Sequence, residues 1–480
     1  MKISHASSLP GRQAGIRPLK TNYYRMKKNG LRLPIFSQGK KEIAYFCHMD
    51  IKVFKFGGAS VNSAKGVMNV ASIISRFPED NIVLIISAMG KTTNALEELL
   101  KFYMSNDAIP MIESYYRIKA FHLDILQELF QEKSYPVFAE VEDLFEHLRG
   151  YLRSGQLTVG KKREYNFEYD QIVSYGELFA TAIIHYYLSL SGIQSRLFDA
   201  RELICTDSAY RDAKVDWTFT GKKIRLKMKD FFSVNNGSRK VAVIQGFIGG
   251  DKHGNTTTLG REASDYTAAI IAHSLKTKEV TIWKDVPGVM TADPKYFKHA
   301  KKLNFLSYQE AVELAYYGAS VIHPKTIKPL ENAKITLHVK SFLNPELDGT
   351  IIEHLPDWKC SHPIYILKRN QVLISISPRD FSFIVEENLS QIFDLLAKHH
   401  IKVNVMQNSA ISFTICVDAD QFTGKDVLAS LQENYMIRYN ENVELFTIRH
   451  YNPAAITRVT KGRKILMEQK TRNTIQLVVQ

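Results

Sequence analysis

Ile51-Lys52-Val53-Phe54-Lys55-Phe56-Gly57-Gly58-Ala59-Ser60 decides the fold. Ile51–Phe56 reads as a short strand, Gly57-Gly58 as a tight turn, and Ser63–Phe77 as a helix with apolar residues at helical spacing. Glycines let a backbone approach a phosphate closely, and helix N-terminal amides favour anions. A lysine at the strand's end adds a point charge beside them. The plain alternative is a βα turn with a surface lysine.

Working outward, the same alternation continues. Strands are predicted at Asn81–Ile86, Lys240–Gln245 and Glu279–Trp283, with Ile335–Val339 closing the domain. Helical patterns run from Ala95 to about Gly155, Tyr169–Ser191 reads as one long helix, and further helices fall at Ser264–Leu275 and Gln309–Tyr317. Strands alternating with helices imply an α/β domain with a largely parallel sheet, over residues 49–345. Asn344–Gly349 is a turn cluster and Leu355–Pro363 a linker. Beyond it the elements shorten: strand Val372–Ser377, helix Glu386–His400, strands Ile401–Met406 and Ile411–Val417, helix Lys425–Glu433, strand Val443–Arg449. That β-α-β-β-α-β order is the split βαβ unit of small α+β modules, placed at 364–442. A second unit over 443–480 has a helix near Ala454–Lys464 and strands Ile465–Glu468 and Thr474–Val479, and reads as truncated, short of its last helix and strand.

Composition narrows the class. With 45% hydrophobic and 23% charged residues, the 480-residue chain has the balance of a soluble globular protein. No run reaches the roughly 18 apolar residues of a membrane span. Cys47, Cys205, Cys360 and Cys416 lie far apart, which reads as reduced thiols in a cytoplasmic setting, with neither a disulfide framework nor a metal site. The net charge of +14 does not point to nucleic acid, because residues 1–48 hold ten lysines and arginines against the single acid Glu42. That basic, aperiodic extension reads as a transit peptide or as an upstream start, and the strand beginning just after Met49 favours the latter.

Four further segments carry chemistry-bearing residues. In Ser87-Ala88-Met89-Gly90-Lys91-Thr92-Thr93-Asn94, the Gly-Lys-Thr is not a P-loop, since Ile85 stands where that motif needs its first glycine. A hydroxyl-rich loop at a strand's C-terminal end is still where α/β sheets bind ligands. Ser174-Tyr175-Gly176-Glu177-Leu178 places a carboxylate in an apolar helix, and taken alone it reads as a solvated face. Gly246–Asp265 carries glycines and hydroxyls between a strand and a helix, a cradle for anions. Within it Arg261 is suited to grip a carboxylate with two hydrogen bonds, while Ser264 or Asp265 could simply cap the helix. Trp283–Gly288 and Thr291–Lys295 form another turn-rich loop after a strand.

Taken in order with Gly318-Ala319-Ser320-Val321-Ile322-His323-Pro324, these motifs resemble the aspartate kinases of the amino-acid kinase family, over Met49 to Ser341, and the C-terminal units resemble ACT regulatory modules. The resemblance implies an αβα sandwich followed by ferredoxin-like ACT modules. It implies phosphorylation of the L-aspartate side chain by ATP with Mg2+, the first step toward lysine, threonine, methionine and diaminopimelate. By position, Lys55 and Asp265 are the catalytic pair. Ser87, Thr93, Glu177, Arg261 and Ser264 bind aspartate. Gly57, Gly58, Ser60, Lys284, Asp285, Met290, Lys295 and Ser320 join Lys55 around the nucleotide. No residue is assigned as a dedicated metal ligand. The acceptor carboxylate, with a reference pKa of about 3.9, is already ionised at pH 7 and needs no general base. A homodimer through the ACT units and an amino-acid effector are further implications, with no nucleic-acid or membrane partner.

The chain departs from the family pattern in places. Glu262-Ala263 stands where many members have Gly-Gly, Lys295 where many have arginine, Met290 where many have tyrosine, Ser320 where many have lysine, and Ala410 where lysine-sensitive relatives have glutamate. The competing functions are another kinase of the family, acting on glutamate, acetylglutamate or UMP, and a non-catalytic ACT-domain amino-acid sensor.

Overall fold

The computed structural model describes residues 51–157, 163–233, 239–319, 322–356, 358–380, 382–422 and 425–480. The basic extension over 1–48 and Ser320 lie outside the described residues. The N-terminal part of the described chain is built on an eight-stranded sheet: β1 (Ile51–Phe56), β2 (Asn81–Ile86), β3 (Ser195–Phe198), β4 (Val241–Gln245), then, after the separate hairpin β5 (Ile248–Gly250) and β6 (Thr256–Thr258), β7 (Glu279–Lys284), β8 (Phe305–Ser307), β9 (Thr336–Ser341) and β10 (Thr350–Glu353). The spatial order is β3-β4-β2-β1-β7-β9-β10-β8, parallel from β3 to β9. β2 and β4 are apolar almost throughout and fully covered, as central parallel strands must be. Helix Ser264–Leu275 packs on β1, β2 and β7 with helices Trp217–Ser233 and Pro324–Ala333 beside it. Helix Tyr175–Leu190 packs on β2, β3 and β4 with the helices from Thr92 to Leu157. Two helical layers around one parallel sheet make the expected αβα sandwich.

Three features depart from the sequence reading. The single helix expected over Tyr169–Ser191 is two, Tyr165–Val173 and Tyr175–Leu190. The chain tightens at Ser174, whose Oγ donates to the Gln171 carbonyl at 3.2 Å and whose carbonyl accepts from Glu177 N at 3.2 Å. The sheet does not close at Val339. β10 returns antiparallel to β9, and β8 joins it in parallel, with Thr350 Oγ1 accepting from Val289 N at 2.8 Å. The stretch between Ser191 and Lys240 also holds β3 and the helix Trp217–Ser233, whose pattern is interrupted by five basic residues and conceals its buried stripe of Thr220, Ile224, Met228 and Phe232.

The C-terminal half is one six-stranded antiparallel sheet, β12-β13-β11-β14-β16-β15. Its strands are β11 (Ile364–Pro378), β12 (Val403–Asn408), β13 (Phe413–Asp418), β14 (Tyr435–Arg449), β15 (Ile465–Lys470) and β16 (Thr474–Val479). β11 and β14 are each 15 residues long and pair end to end, with a register shift between Lys368 and Leu373. The boundary expected at Val443 therefore falls inside β14. The segment expected to lack a strand has one, because Ile364–Lys368 at the start of β11 lies against Leu445–Arg449. The pattern could not reveal this, since the strand precedes the first unit in sequence. In place of a second helix, Ala292, Phe297 and Ala300 from the loop after β7 cover Tyr365, Phe446 and Ile448.

Candidate active site

β4, β2, β1 and β7 lie side by side, so their C-terminal ends at Gln245, Ile86, Phe56 and Lys284 open onto one crevice. From β1 the chain moves to β2 on one side and from β7 toward β9 on the other, and a ligand site is expected at such a switch point. The turn after β1 meets the loop after β2 here. Gly90 N donates to the Gly58 carbonyl at 3.0 Å, and a Cβ on Gly58 would stand 2.7 Å from the Ala88 carbonyl oxygen. Only glycine permits that approach. Gly57 is half-buried, and Ser60, fully buried, closes the turn with its N–H on the Gly57 carbonyl at 2.9 Å.

At the centre of the crevice, Lys55 Nζ stands 2.7 Å from Asp265 Oδ1, and Lys284 Nζ 3.8 Å from Asp265 Oδ2. Asp265 is buried in the first turn of helix Ser264–Leu275, where the backbone dipole favours an anion. It does not cap the helix; Ala263 occupies that position. Burial pushes the Asp265 carboxyl up, but Lys55 and Lys284 outweigh it and hold it below the usual carboxylate range. Burial pushes the Lys284 ammonium down, and Asp265 opposes this. Two ammonium groups share one carboxylate in a water-poor cleft.

Glu177 lies on the other side of the Ala88 loop and is 3% exposed, which overturns its reading as a solvated face. Its Oε1 accepts from Ala88 N at 3.2 Å, while Oε2 has no partner among the described residues. Burial drives its pKa up to about 8, against the weaker opposing pull of Ala88 N–H and Lys55. Gly176 lets this helix approach the loop, since a Cβ there would lie 2.9 Å from the Ala88 side chain. Ser87 and Thr93 flank the same loop and are half-buried. Ser264 is buried, and a Cβ on Gly246 would fall 2.6 Å from its Oγ.

The remaining predicted residues sit at the rim. Arg261 is exposed and lies within electrostatic range of Tyr169. Glu262, beside it, has φ 61°, a left-handed backbone that costs a non-glycine residue about 1 kcal/mol. Asp285 and Lys295 are exposed on the loop after β7, and Met290 makes a backbone bridge to Lys302.

The sequence reading assigned no role to Asp170 or His323. Asp170 is fully buried and accepts from Thr258 N at 2.8 Å, Thr258 Oγ1 at 2.7 Å and Arg211 N at 3.0 Å, so it pins the hairpin that leads to Arg261. Burial raises its pKa to about 6 even against those donors. No motif in the sequence marks it. His323 caps helix Pro324–Ala333 and lies within electrostatic range of Asp265, its pKa lowered chiefly by burial.

A sequence profile of the amino acid kinase family matches residues 50–341. Aspartokinase 1, chloroplastic, of Arabidopsis thaliana is 33% identical over 86% of this chain and 69% of its own length. Lysine-sensitive aspartokinase 3 of Escherichia coli is 30% identical over 77% of this chain and 78% of its own. The crystal structure of E. coli aspartokinase III in complex with lysine and aspartate superposes with a TM-score of 0.74 at 26% identity, covering 90% of this chain and 96% of that one. A second, in complex with aspartate and ADP, gives 0.71 over 89% and 96%. The chain belongs to the amino acid kinase family and, within it, to the aspartokinases.

Proposed function

We propose that the crevice aligns L-aspartate and ATP so that two lysines sharing one carboxylate neutralise the transferring phosphoryl group. The chain is an aspartate kinase: ATP and L-aspartate give ADP and 4-phospho-L-aspartate. The observation that carries the site reading is Asp265 held between Lys55 and Lys284. The nucleophile is a carboxylate, so the reacting partners are both anions and proton abstraction contributes nothing. Positioning and charge neutralisation supply the rate, as in other phosphoryl transfers.

In this reading Asp265 orients Lys55 toward the γ-phosphoryl group, and Lys284 adds the second positive charge. Gly57, Gly58 and Ser60 form the cradle beneath it. Glu177 Oε2, buried and without a partner among the described residues, receives the α-ammonium of aspartate. Arg261 folds over the α-carboxylate, with Ser87, Thr93 and Ser264 completing the pocket. Asp285, Met290 and Lys295 line the nucleotide, and Ser320 belongs to the same set by motif. Mg2+ enters as part of the MgATP substrate, where it screens the phosphates; the acids at hand, Asp265 and Asp285, fit an ion bound mainly through phosphate oxygens and water.

β12 is an outer strand beside exposed Met406 and Ile411, which supports pairing with a second copy through the regulatory sheet. We divide that sheet into units 364–442 and 443–480, the second completed by the start of β11, and keep an amino-acid effector there as part of the reading. No helix among the described residues is long and apolar enough to cross a membrane. Free thiols at Cys205, Cys360 and Cys416 support a cytoplasmic setting.

The test is a substrate panel of aspartate, glutamate, acetylglutamate and UMP with MgATP and coupled ADP detection. ADP is expected with aspartate alone. Turnover with another acceptor in its place, or with none of them, would overturn the reading, and the second result would favour an amino-acid sensor.

A further inference from the structure

Away from the crevice, two adjoining cavities of about 530 and 450 Å³ run between the loop 291–300 and the outer half of the regulatory sheet. Their volumes are those of small-molecule sites. The floor is aromatic and rigid: Phe297 stacks on Tyr365 with ring centres 5.1 Å apart, and Tyr365 N donates to the Thr291 carbonyl at 2.7 Å. The walls are basic. Arg369, Arg458, Arg463 and Lys298 face the space, and Glu444 is the one carboxylate side chain among the lining residues.

That carboxylate is already shared, at 3.2 Å from Arg369 Nε and 3.2 Å from Arg463 Nη1. Arg458 lies over the Tyr365 ring at 6.0 Å. Among the described residues no carboxylate comes within 4.0 Å of Arg458 or Lys298. Four cationic side chains therefore converge on a concave site against a single carboxylate side chain. On an open surface such charges would be solvated separately. Inside a groove of this size they raise the local potential and favour a multivalent anion. The same charges disfavour a ligand with a cationic side chain.

We propose that this groove binds a small organic anion with two or three negative charges, either a phosphate compound or a polycarboxylate, and thereby clamps the loop 291–300 onto β11, β14 and helix Pro453–Thr460. Arginine forks match both classes of oxyanion. The consequence for catalysis rests on the assignment of Lys295 to the nucleotide: that residue sits on the clamped loop, so occupation changes ATP affinity and leaves the aspartate contacts alone.

The test is a calorimetric titration of the full chain with inorganic pyrophosphate, and separately with citrate, at fixed ionic strength and with ADP saturating the nucleotide cleft. Saturable binding is expected for at least one of them, and which one distinguishes the phosphate from the polycarboxylate source. Arg458→Ala/Arg463→Ala should weaken it about tenfold or more, with basal turnover intact as the check on folding. Lys298→Gln, on an exposed side chain, serves as an independent variant expected to weaken binding severalfold. No saturable binding with ADP present, or equal affinity in these variants, overturns the site. An ATP KM unaffected by bound anion overturns the clamp. The binding arm needs no turnover, so its failure is distinguishable from a failure of the kinase assignment.

Discussion

Two buried ion clusters invite comparison. In the crevice, Lys55 and Lys284 share Asp265, and Glu177 keeps one oxygen unpaired. At the junction of helix Tyr308–Tyr317 with β14, Arg449 meets Glu310 with two hydrogen bonds of 3.0 and 2.6 Å, Thr474 at 2.7 Å and Glu313 at 3.2 Å. His450 Nε2 adds a contact to Glu310 at 3.1 Å. Both clusters are buried and both join elements distant in sequence. In the junction cluster the fork of Arg449 is matched by acceptors, and burial of Glu310 is outweighed by His450 and Arg449, which keep its carboxyl below the usual range. The crevice cluster is incomplete, with surplus positive charge on one side and a carboxylate pushed toward its neutral form on the other. A closed cluster orders the chain; an open one awaits the charges of a ligand.

The sharpest way to break this contrast is Lys55→Ala. Turnover should fall about a thousandfold, the scale of removing a preorganised electrostatic group, while the melting temperature holds because Lys284 still faces Asp265. Near-normal turnover in steady-state ADP assays would remove Lys55 from the chemistry. Arg449→Ala should do the converse, costing about 3 kcal/mol of stability by stranding a buried carboxylate while leaving kcat within about twofold. Denaturant titration alongside the ADP assay checks both halves, and a kcat collapse without destabilisation would contradict the contrast.

Glu177→Gln sharpens it further. The aspartate KM should rise about tenfold to a hundredfold with the loss of a charge-assisted contact. The ligand-free variant should also respond differently to pH. Glu177 is raised from 4.5 to about 8 in the folded chain, so its favourable contribution is full below about pH 4.5 and is lost as pH rises toward 8. Relative to Glu177→Gln, the wild type should lose stability over that window, and parallel pH–melting curves would reject the burial argument. Smallest is Glu262→Gly, which should stabilise by about 1 kcal/mol by relieving a left-handed backbone, measured as a modest rise in melting temperature.

The central strands were legible because β1, β2, β4 and β7 carry local apolar patterns that end at turn residues. What was not legible was nonlocal. β11 supplies a strand to a unit whose other strands lie about 80 residues later, and no local pattern encodes that pairing. Gly57, Gly58 and Lys55 were readable as residue types suited to anions, yet on their own Asp265 read as a possible helix cap and Glu177 as surface. Its helix is apolar on nearly every side, so periodicity could not tell a buried carboxylate from an exposed one. The ordered motif set distinguished them. Asp170 and Arg449 matched no motif, and only packing exposes their roles.

The contrast turns on whether the crevice is completed by aspartate. Calorimetric titration of aspartate into the ligand-free chain at pH 7, in buffers of different ionisation enthalpy, measures protons released on binding. The α-ammonium should drive Glu177 to its ionised form, releasing about one proton per aspartate in the wild type and none in Glu177→Gln. Binding with no proton release in the wild type, or with the same release in the variant, would contradict the account.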